Sequence, residues 1–540
     1  MNKKKLSPIK IINTFNKKQN CWYVHTNQHY WDPELKQTRH IRKTIGKRLT
    51  EDGDIIYNNT YLLEHPEETN KKAIENKVSS TKSLGEVRLL NSIVKDLKLN
   101  KFLKDSFGSD KANKIISLAQ YLICTEKALS WSGAWAENKD LIIEDIQSQE
   151  VSKILESITP DERNDFFKSW GESHSKGKKG YFCFDSTNIS AYNNTATPNL
   201  DYGYSHGHVR QNQVNLAILS RQDTFTPVQT LLYNGARHDS TTIDSLIESL
   251  NKLDMNNIIL TLDRGYYSKS NIETILKSHN SFIIPIPKRV NWQYDEIDSV
   301  KTELNSVKAS VDVENGDGVI QTIYCVRKPI IQNGRRLYLY VIYNPQVRSE
   351  HEIKFRELMG VCYKELLANK LNENHSGYYE KYFIVSDTPK RGRKVTEKVS
   401  LEEEFNKKYS GYWCLLSNEK RERSEIYEAY SQRNTAEIFY DMVKNDLNGD
   451  RVRSHNNNTF EGKMFVTFIA LIILAKFKRK FARVRTGNKT LNRVKSYKEV
   501  LFKMSSLTKV SFTGKYKPMY SKPTKFQEEI IKQFKINWPL

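Results

Sequence analysis

The spacing of apolar positions changes along the chain and divides it. Residues 21–46 set aromatic and β-branched residues around a polar turn (CWYVHTNQHYWDPELKQTRHIRKTIG), which predicts a small β-hairpin with a basic return strand. From Leu84 to about Glu137, apolar residues recur at helical spacing (LGEVRLLNSIVKDLKLNKFL, then NKIISLAQYLI), which predicts a helical bundle. Beyond about position 170 the pattern becomes short apolar runs separated by polar turns. Runs at 181–184, 213–219, 227–233 and 258–262 read as strands of a buried sheet, with a turn at 221–224. The stretch TTIDSLIESLNKL between the third and fourth runs reads as a helix.

Strand, strand, strand, helix, strand is the order of an RNase H-like α/β core. A further strand is expected at 281–286. After Pro287 more than a hundred residues of strand-like and charged segments, among them RRLYLYVIY and YYEKYFIVSD, read as an insertion before the pattern resumes with a strand at 412–416 and a helix at about 423–447. The expected organisation is an N-terminal β-hairpin region (1–80), a helical region (81–170), the first part of the core (171–287), a β-rich insertion (288–410), the second part of the core (411–480) and a basic, partly helical C-terminal region (481–540), a candidate for dimerisation.

At 540 residues the chain exceeds what one core supports, about 250–300 residues. Its 85 Lys and Arg against 63 Asp and Glu give a net charge of +22, spread through the chain, which points to a polyanionic partner. The six cysteines are scattered, with no CxxC pair and no Cys/His spacing suited to zinc, and a reducing cytoplasmic setting is expected. The opening MNKKKLSPIK has no signal-peptide core. The longest apolar run, 464–475, falls short of the roughly 20 residues of a membrane span and reads as a buried helix.

Two aspartates follow apolar runs: Asp185 after YFCF and Asp263 after IILTL. Each reads as a carboxylate at the end of a core strand. Ionised carboxylates gathered in one semi-buried place repel, so a cation is needed between them, and hard oxygen donors favour Mg²⁺ or Mn²⁺. A third feature is the segment IYEAYSQRNTAEIFYDMVKNDL. At about 100° per residue, Tyr430, Arg433, Glu437 and Lys444 fall within roughly 60° of one another on an ideal helix, forming one polar stripe opposite apolar positions. Alone, such a stripe also describes a solvated amphipathic face.

These four residues, with the same spacings, match the Y-(2)-R-(3)-E-(6)-K signature of one branch of insertion-sequence DDE transposases. DST at 185–187 and DRGYY at 263–267 resemble that family's first and second acidic motifs. The long gap before Glu437 resembles the mostly β insertion inside that branch's core, and the N-terminal aromatic hairpin also looks like this branch. The resemblance implies that Asp185, Asp263 and Glu437 hold two Mg²⁺ ions, with Mn²⁺ a substitute, for cleavage at terminal inverted repeats and joining of the 3′-hydroxyl ends to target DNA. Arg433 and Lys444 would clamp phosphates, with Tyr430 beside them. It further implies a homodimer pairing two double-stranded DNA ends in a bacterial, nucleoid-associated setting, with no membrane.

Related enzymes of that branch free the element through a terminal hairpin, which makes Trp292 a candidate to support a flipped base. His206, His208 and Arg210 (GYSHGHVRQ) are expected in a loop with no ligand role. The N-terminal 170 residues are expected to read the element's ends. Two other readings stay open: an RNase H-like nuclease without strand transfer, and a catalytically silent DNA-binding derivative. An RNA-binding protein, suggested by the charge and the 29 tyrosines, has no supporting motif.

Overall fold

The computed structural model describes residues 6–65, 78–139, 141, 147–176, 179–191, 201–204, 210–234, 242–314, 320–407, 409–454, 456–513 and 517–539. It divides into two units, 1–82 with 508–522 and 83–507 with 523–539.

In the first unit, β1 (Lys10–Asn16), β2 (Cys21–Asp32), β3 (Gln37–Arg48) and β4 (Ile56–Tyr57) form an antiparallel sheet in that order. The predicted hairpin is β2–β3, and β1 and β4 widen it to four strands. Pairing skips Ile45 between His25↔Thr44 and Val24↔Gly46, a bulge that lets Val24 and Ile45 both be buried. A second sheet joins β5 (Val78–Ser83) to Thr508–Phe512 and Met519–Tyr520.

The second unit is built on one large sheet. Its centre holds β6 (Tyr181–Ala191), β7 (Asp201–Tyr204), β8 (Arg210–Arg221), β9 (Thr226–Asn234), β10 (Ile259–Thr261) and β11 (Ser281–Pro285). Strands β9, β8 and β6 pair antiparallel; β6, β10 and β11 run parallel. Parallel neighbours need crossovers, supplied by helices Ile243–Lys252 before β10 and Lys269–Lys277 before β11. All residues of β10 and β11 are buried, as expected for a sheet covered on both faces.

The sheet then continues through β12 (Ser310–Glu314), β13 (Ile320–Gln332), β14 (Arg335–Tyr343) and β17 (Tyr412–Ser417), in the order β12-β13-β14-β17-β11. The 288–410 stretch is therefore not mostly β, as the sequence reading had it. Three of its strands extend the central sheet. The rest is largely helical: Trp292–Leu304, Pro345–Leu367, Ser376–Tyr382 and Leu401–Asn406, with one hairpin of β15 (Phe383–Thr388) and β16 (Gly392–Glu397). Phe355, Met359, Cys362, Leu366, Tyr382 and Phe405 give that part its own small core.

The segment expected as one helix at 423–447 is broken. It runs as an α-helix (Arg423–Ser431), a 3₁₀ turn (Gln432–Asn434), an α-helix (Thr435–Asp441) and a π-helical turn (Met442–Asp446). Ile426, Tyr427 and Ala429 pack it against Val313, Ile323, Tyr340 and Leu415 of the sheet. Each fully buried aliphatic side chain there contributes about 1.5–3 kcal/mol. The extended part of the sheet is thus the bed on which this segment lies.

The apolar run at 464–475 is buried throughout, within helix Asn457–Arg485. No described helix is long and apolar enough to cross a membrane. Gly462 marks a close crossing in this helix: a Cβ there would stand 2.1 Å from the Leu155 carbonyl oxygen. The C-terminal part adds helices Tyr497–Ser505 and Lys525–Phe534.

Candidate active site

Asp185 does not end a strand. β6 continues to Ala191, and Asp185 stands in its middle opposite Ile218 of β8. Parallel pairing sets Thr261 of β10 against Cys183, so two further extended residues bring Asp263 level with Asp185. Side chains alternate along a strand, and Cys183, Asp185 and Thr187 share one face. That face meets the broken helical segment three times. The Cys183 thiol donates to the Arg433 carbonyl at 3.5 Å, Asp185 faces the Arg433 guanidinium, and Lys444 Nζ donates to Thr187 Oγ1 at 2.9 Å.

The three acids surround one cation. Arg433 Nη1 lies 3.7 Å from Asp185 Oδ2, and its Nη2 lies 3.8 Å from Asp263 Oδ1 and 3.7 Å from Glu437 Oε1. Asp185 Oδ1 also accepts a hydrogen bond from its neighbour Ser186 N at 2.9 Å. The ring opens outward: the Asp185 side chain is 18% exposed, Asp263 36% and Glu437 64%, whereas Arg433 is 16% exposed. Burial alone would pull the Arg433 pKa down, but Asp263, Tyr430 and Asp185 outweigh it and raise it, so the guanidinium stays charged.

Tyr430 is half-buried against the sheet, with the Arg433 guanidinium carbon 5.9 Å from its ring centroid. Burial raises its pKa and keeps the phenol neutral. Lys444 lies in the π-helical turn and reaches β6 two residues beyond Asp185, outside the ring around Arg433. Burial lowers its pKa. Arg433, in the 3₁₀ turn, thus meets Glu437 of the following helix and the Tyr430 ring of the preceding one, but the π turn gives Lys444 a separate contact. Breaks of this kind recur at functional sites.

The donor set is carboxylate oxygen throughout, which suits hard divalent cations. The guanidinium stands near all three acids without a close pair to any of them, so their negative charge is shared at one place and accessible from solvent at Glu437. A divalent cation fits that arrangement.

A polar network absent from the sequence reading ties the starts of β6 and β11 to the segment after β17. Glu419 pairs with Lys179, just before β6, and with Arg421, which also reaches Glu425 at 2.9 Å; Ser281 at the start of β11 donates to Glu419 as well. Although burial opposes its charge, hydrogen bonds from Lys179, Ser281 and Arg421 lower the Glu419 pKa to about 2. Lys179 and Ser281 are far in sequence from the Glu419–Glu425 segment they meet, so no local spacing signals the network.

Cys362, Glu365 and His375 bring potential ligand atoms within 4.8 Å of one another. There Glu365 accepts from Tyr379 Oη and lies 2.8 Å from His375 Nδ1, and burial raises the Cys362 thiol pKa. The cluster works as a clamp between helix Pro345–Leu367 and the residues after it. Trp292 is half-buried at the first turn of helix Trp292–Leu304. His206 and His208 lie outside the described residues, as does the side chain of Arg210.

Residues 176–473 match the model of a family described as "Transposase DDE domain". No curated protein matches the chain. Among solved structures, a piggyBac transposase synaptic complex with hairpin DNA is similar at 8% identity, over 78% of this chain and 76% of that one, with a TM-score of 0.34. The family match spans more than half of the chain and contains Asp185, Asp263 and Glu437, and on it the chain belongs to the DDE transposase domain family.

Proposed function

We propose that this transposase cuts double-stranded DNA at the terminal inverted repeats of its own mobile element and joins the freed 3′-hydroxyl ends to target DNA. The observation that carries this reading is the convergence of Asp185, Asp263 and Glu437, from three separate elements, on a single guanidinium. The strand order β9-β8-β6-β10-β11, with three antiparallel strands followed by two parallel ones, supports an RNase H-like core.

Asp185, Asp263 and Glu437 would hold two Mg²⁺ ions, or Mn²⁺ in their place, which supply activation of the attacking oxygen and charge relief at the leaving oxygen. The chain's own groups do the rest. Arg433 lowers the mutual repulsion of the acids and offers its remaining donors to a phosphate. Lys444, whose charge burial disfavours, gains from a phosphate neighbour and positions the strand beside Thr187. Tyr430 packs beneath Arg433 and fixes its orientation. In cleavage water attacks the phosphate at the element's end and the 3′-oxygen leaves as a hydroxyl; in joining that 3′-hydroxyl attacks a phosphate of the target DNA and the target strand's 3′-oxygen leaves, so no protein nucleophile is required.

Two ends must be cut and joined together, so a homodimer holding paired ends is the working assembly, acting at the bacterial nucleoid. The test is cleavage of linear DNA carrying the element's own ends. Metal-dependent cuts at the repeat boundary followed by joined products support transposition, and cuts with no joined product reduce the reading to a nuclease.

A further inference from the structure

The N-terminal sheet carries an exposed surface of its own. Pairing with β1 ends at Lys10↔Asn27, and the Ser7 amide still donates to the His29 carbonyl; from there β2 and β3 run on as a two-stranded ribbon closed by the turn after Asp32, with Arg42 at its base. From Gln37 to Thr44 every residue of β3 is exposed, and Trp31 and Ile41 are 59% and 48% exposed. A lone two-stranded hairpin is marginally stable in water, so a ribbon bare on both faces gains order from what it binds.

The two faces differ in charge. Tyr30↔Arg39 and Thr26↔Lys43 put Arg39 and Lys43 on one face, where Arg39 lies 3.8 Å from Asp32 and Lys43 pairs with Glu64. Asn27↔Arg42, His29↔His40 and Trp31↔Thr38 make up the other. Among the described residues no carboxylate pairs with Arg42. This face therefore combines an uncompensated guanidinium, two imidazoles, an amide and an open indole.

Resting on the transposase reading, we propose that this ribbon lies in the major groove of duplex DNA at the element's end, with the Arg42 face toward the base edges. The major groove admits a two-stranded ribbon, and an arginine guanidinium matches the O6 and N7 acceptors of guanine. His29, His40 and Asn27 add donors and acceptors to base edges, and Trp31 packs on a thymine methyl. Arg39 and Lys43, already compensated, lie toward the solvent side and the flanking phosphates.

The test measures binding without divalent metal, so that it stands apart from cleavage. Short labelled duplexes tiling the DNA on either side of this chain's own gene are titrated with the full chain, alongside an unrelated duplex. Wild type and the Asp263→Ala variant are expected to prefer the same flanking duplex. Arg42→Ala is expected to lose roughly tenfold to a hundredfold on that duplex and little on the unrelated one, while Arg39→Ala changes both by less. Methylating guanine N7 in the preferred duplex should block wild-type binding, a readout that needs no variant and no assumption about its folding. Equal preference in Arg42→Ala and wild type, or interference only from methylation of adenine N3 in the minor groove, overturns the proposal and leaves the catalytic reading intact. Failure of wild type to bind any duplex contradicts both.

Discussion

Arg433 and Asp185, remote in sequence, meet at 3.7 Å because β6 carries the aspartate past the point where the 3₁₀ turn Gln432–Asn434 interrupts its helix. The turn aims the guanidinium at the sheet, and Glu437 approaches the same group from one helical turn further on. The negative charge of the site is therefore shared around a cation on the protein itself.

Replacing Arg433 exposes that dependence. Arg433→Ala leaves three carboxylates without their shared partner and should lower metal-free stability by about 1–3 kcal/mol, a range discounted for the exposure of Glu437. Added Mg²⁺ should raise the melting temperature of the variant more than that of wild type, measured by thermal unfolding across a Mg²⁺ titration. An equal Mg²⁺ response in the two proteins would place the metal elsewhere.

Glu419 gives a pH dependence with a defined sign. Its carboxyl is held at about 2, below its ordinary value of 4.5, so the stabilisation is fully present above the ordinary value and is lost as pH falls toward 2. The difference in melting temperature between wild type and Glu419→Gln should be greatest above pH 4.5 and shrink in acid. A difference that grows in acid would contradict the assigned partners Lys179, Ser281 and Arg421.

Packing predicts a third outcome. Gly462→Ala places a methyl against the Leu155 carbonyl, a backbone atom that cannot rotate away, and should destabilise the second unit by about 1–3 kcal/mol or more in denaturant unfolding. Gly360, with nothing within 4 Å of its would-be Cβ, is the matched control: Gly360→Ala should be neutral or stabilising.

These relationships were legible in the sequence to different degrees. The strands around Asp185 and Asp263 stand out because buried runs end in carboxylates, and the apolar run at 464–475 is the buried helix expected of it. The end of β6 was not legible, since Asp185, Ser186, Thr187 and Asn188 have the composition of a turn; the strand persists because they pair with β8 along its length. The breaks at 432–434 and 442–446 contain neither Gly nor Pro, so no local signal marks them. Helix Pro345–Leu367 did leave a trace in Phe355, Met359, Cys362 and Leu366, spaced at four, three and four, but the charged residues between them hid it. Its small core is paid for by tertiary partners rather than by a strong periodic face.

Asp263 stands level with Asp185 and is reached by the same guanidinium. The most direct measurement incubates purified wild type and Asp263→Ala with linear DNA carrying the element's own ends, with and without Mg²⁺, and reads the strands on a denaturing gel. Cuts at the repeat boundary, and joined products, are expected only for wild type with metal. Cleavage that persists in Asp263→Ala, or wild type that binds the ends and leaves them uncut with Mg²⁺ present, would contradict the proposed function.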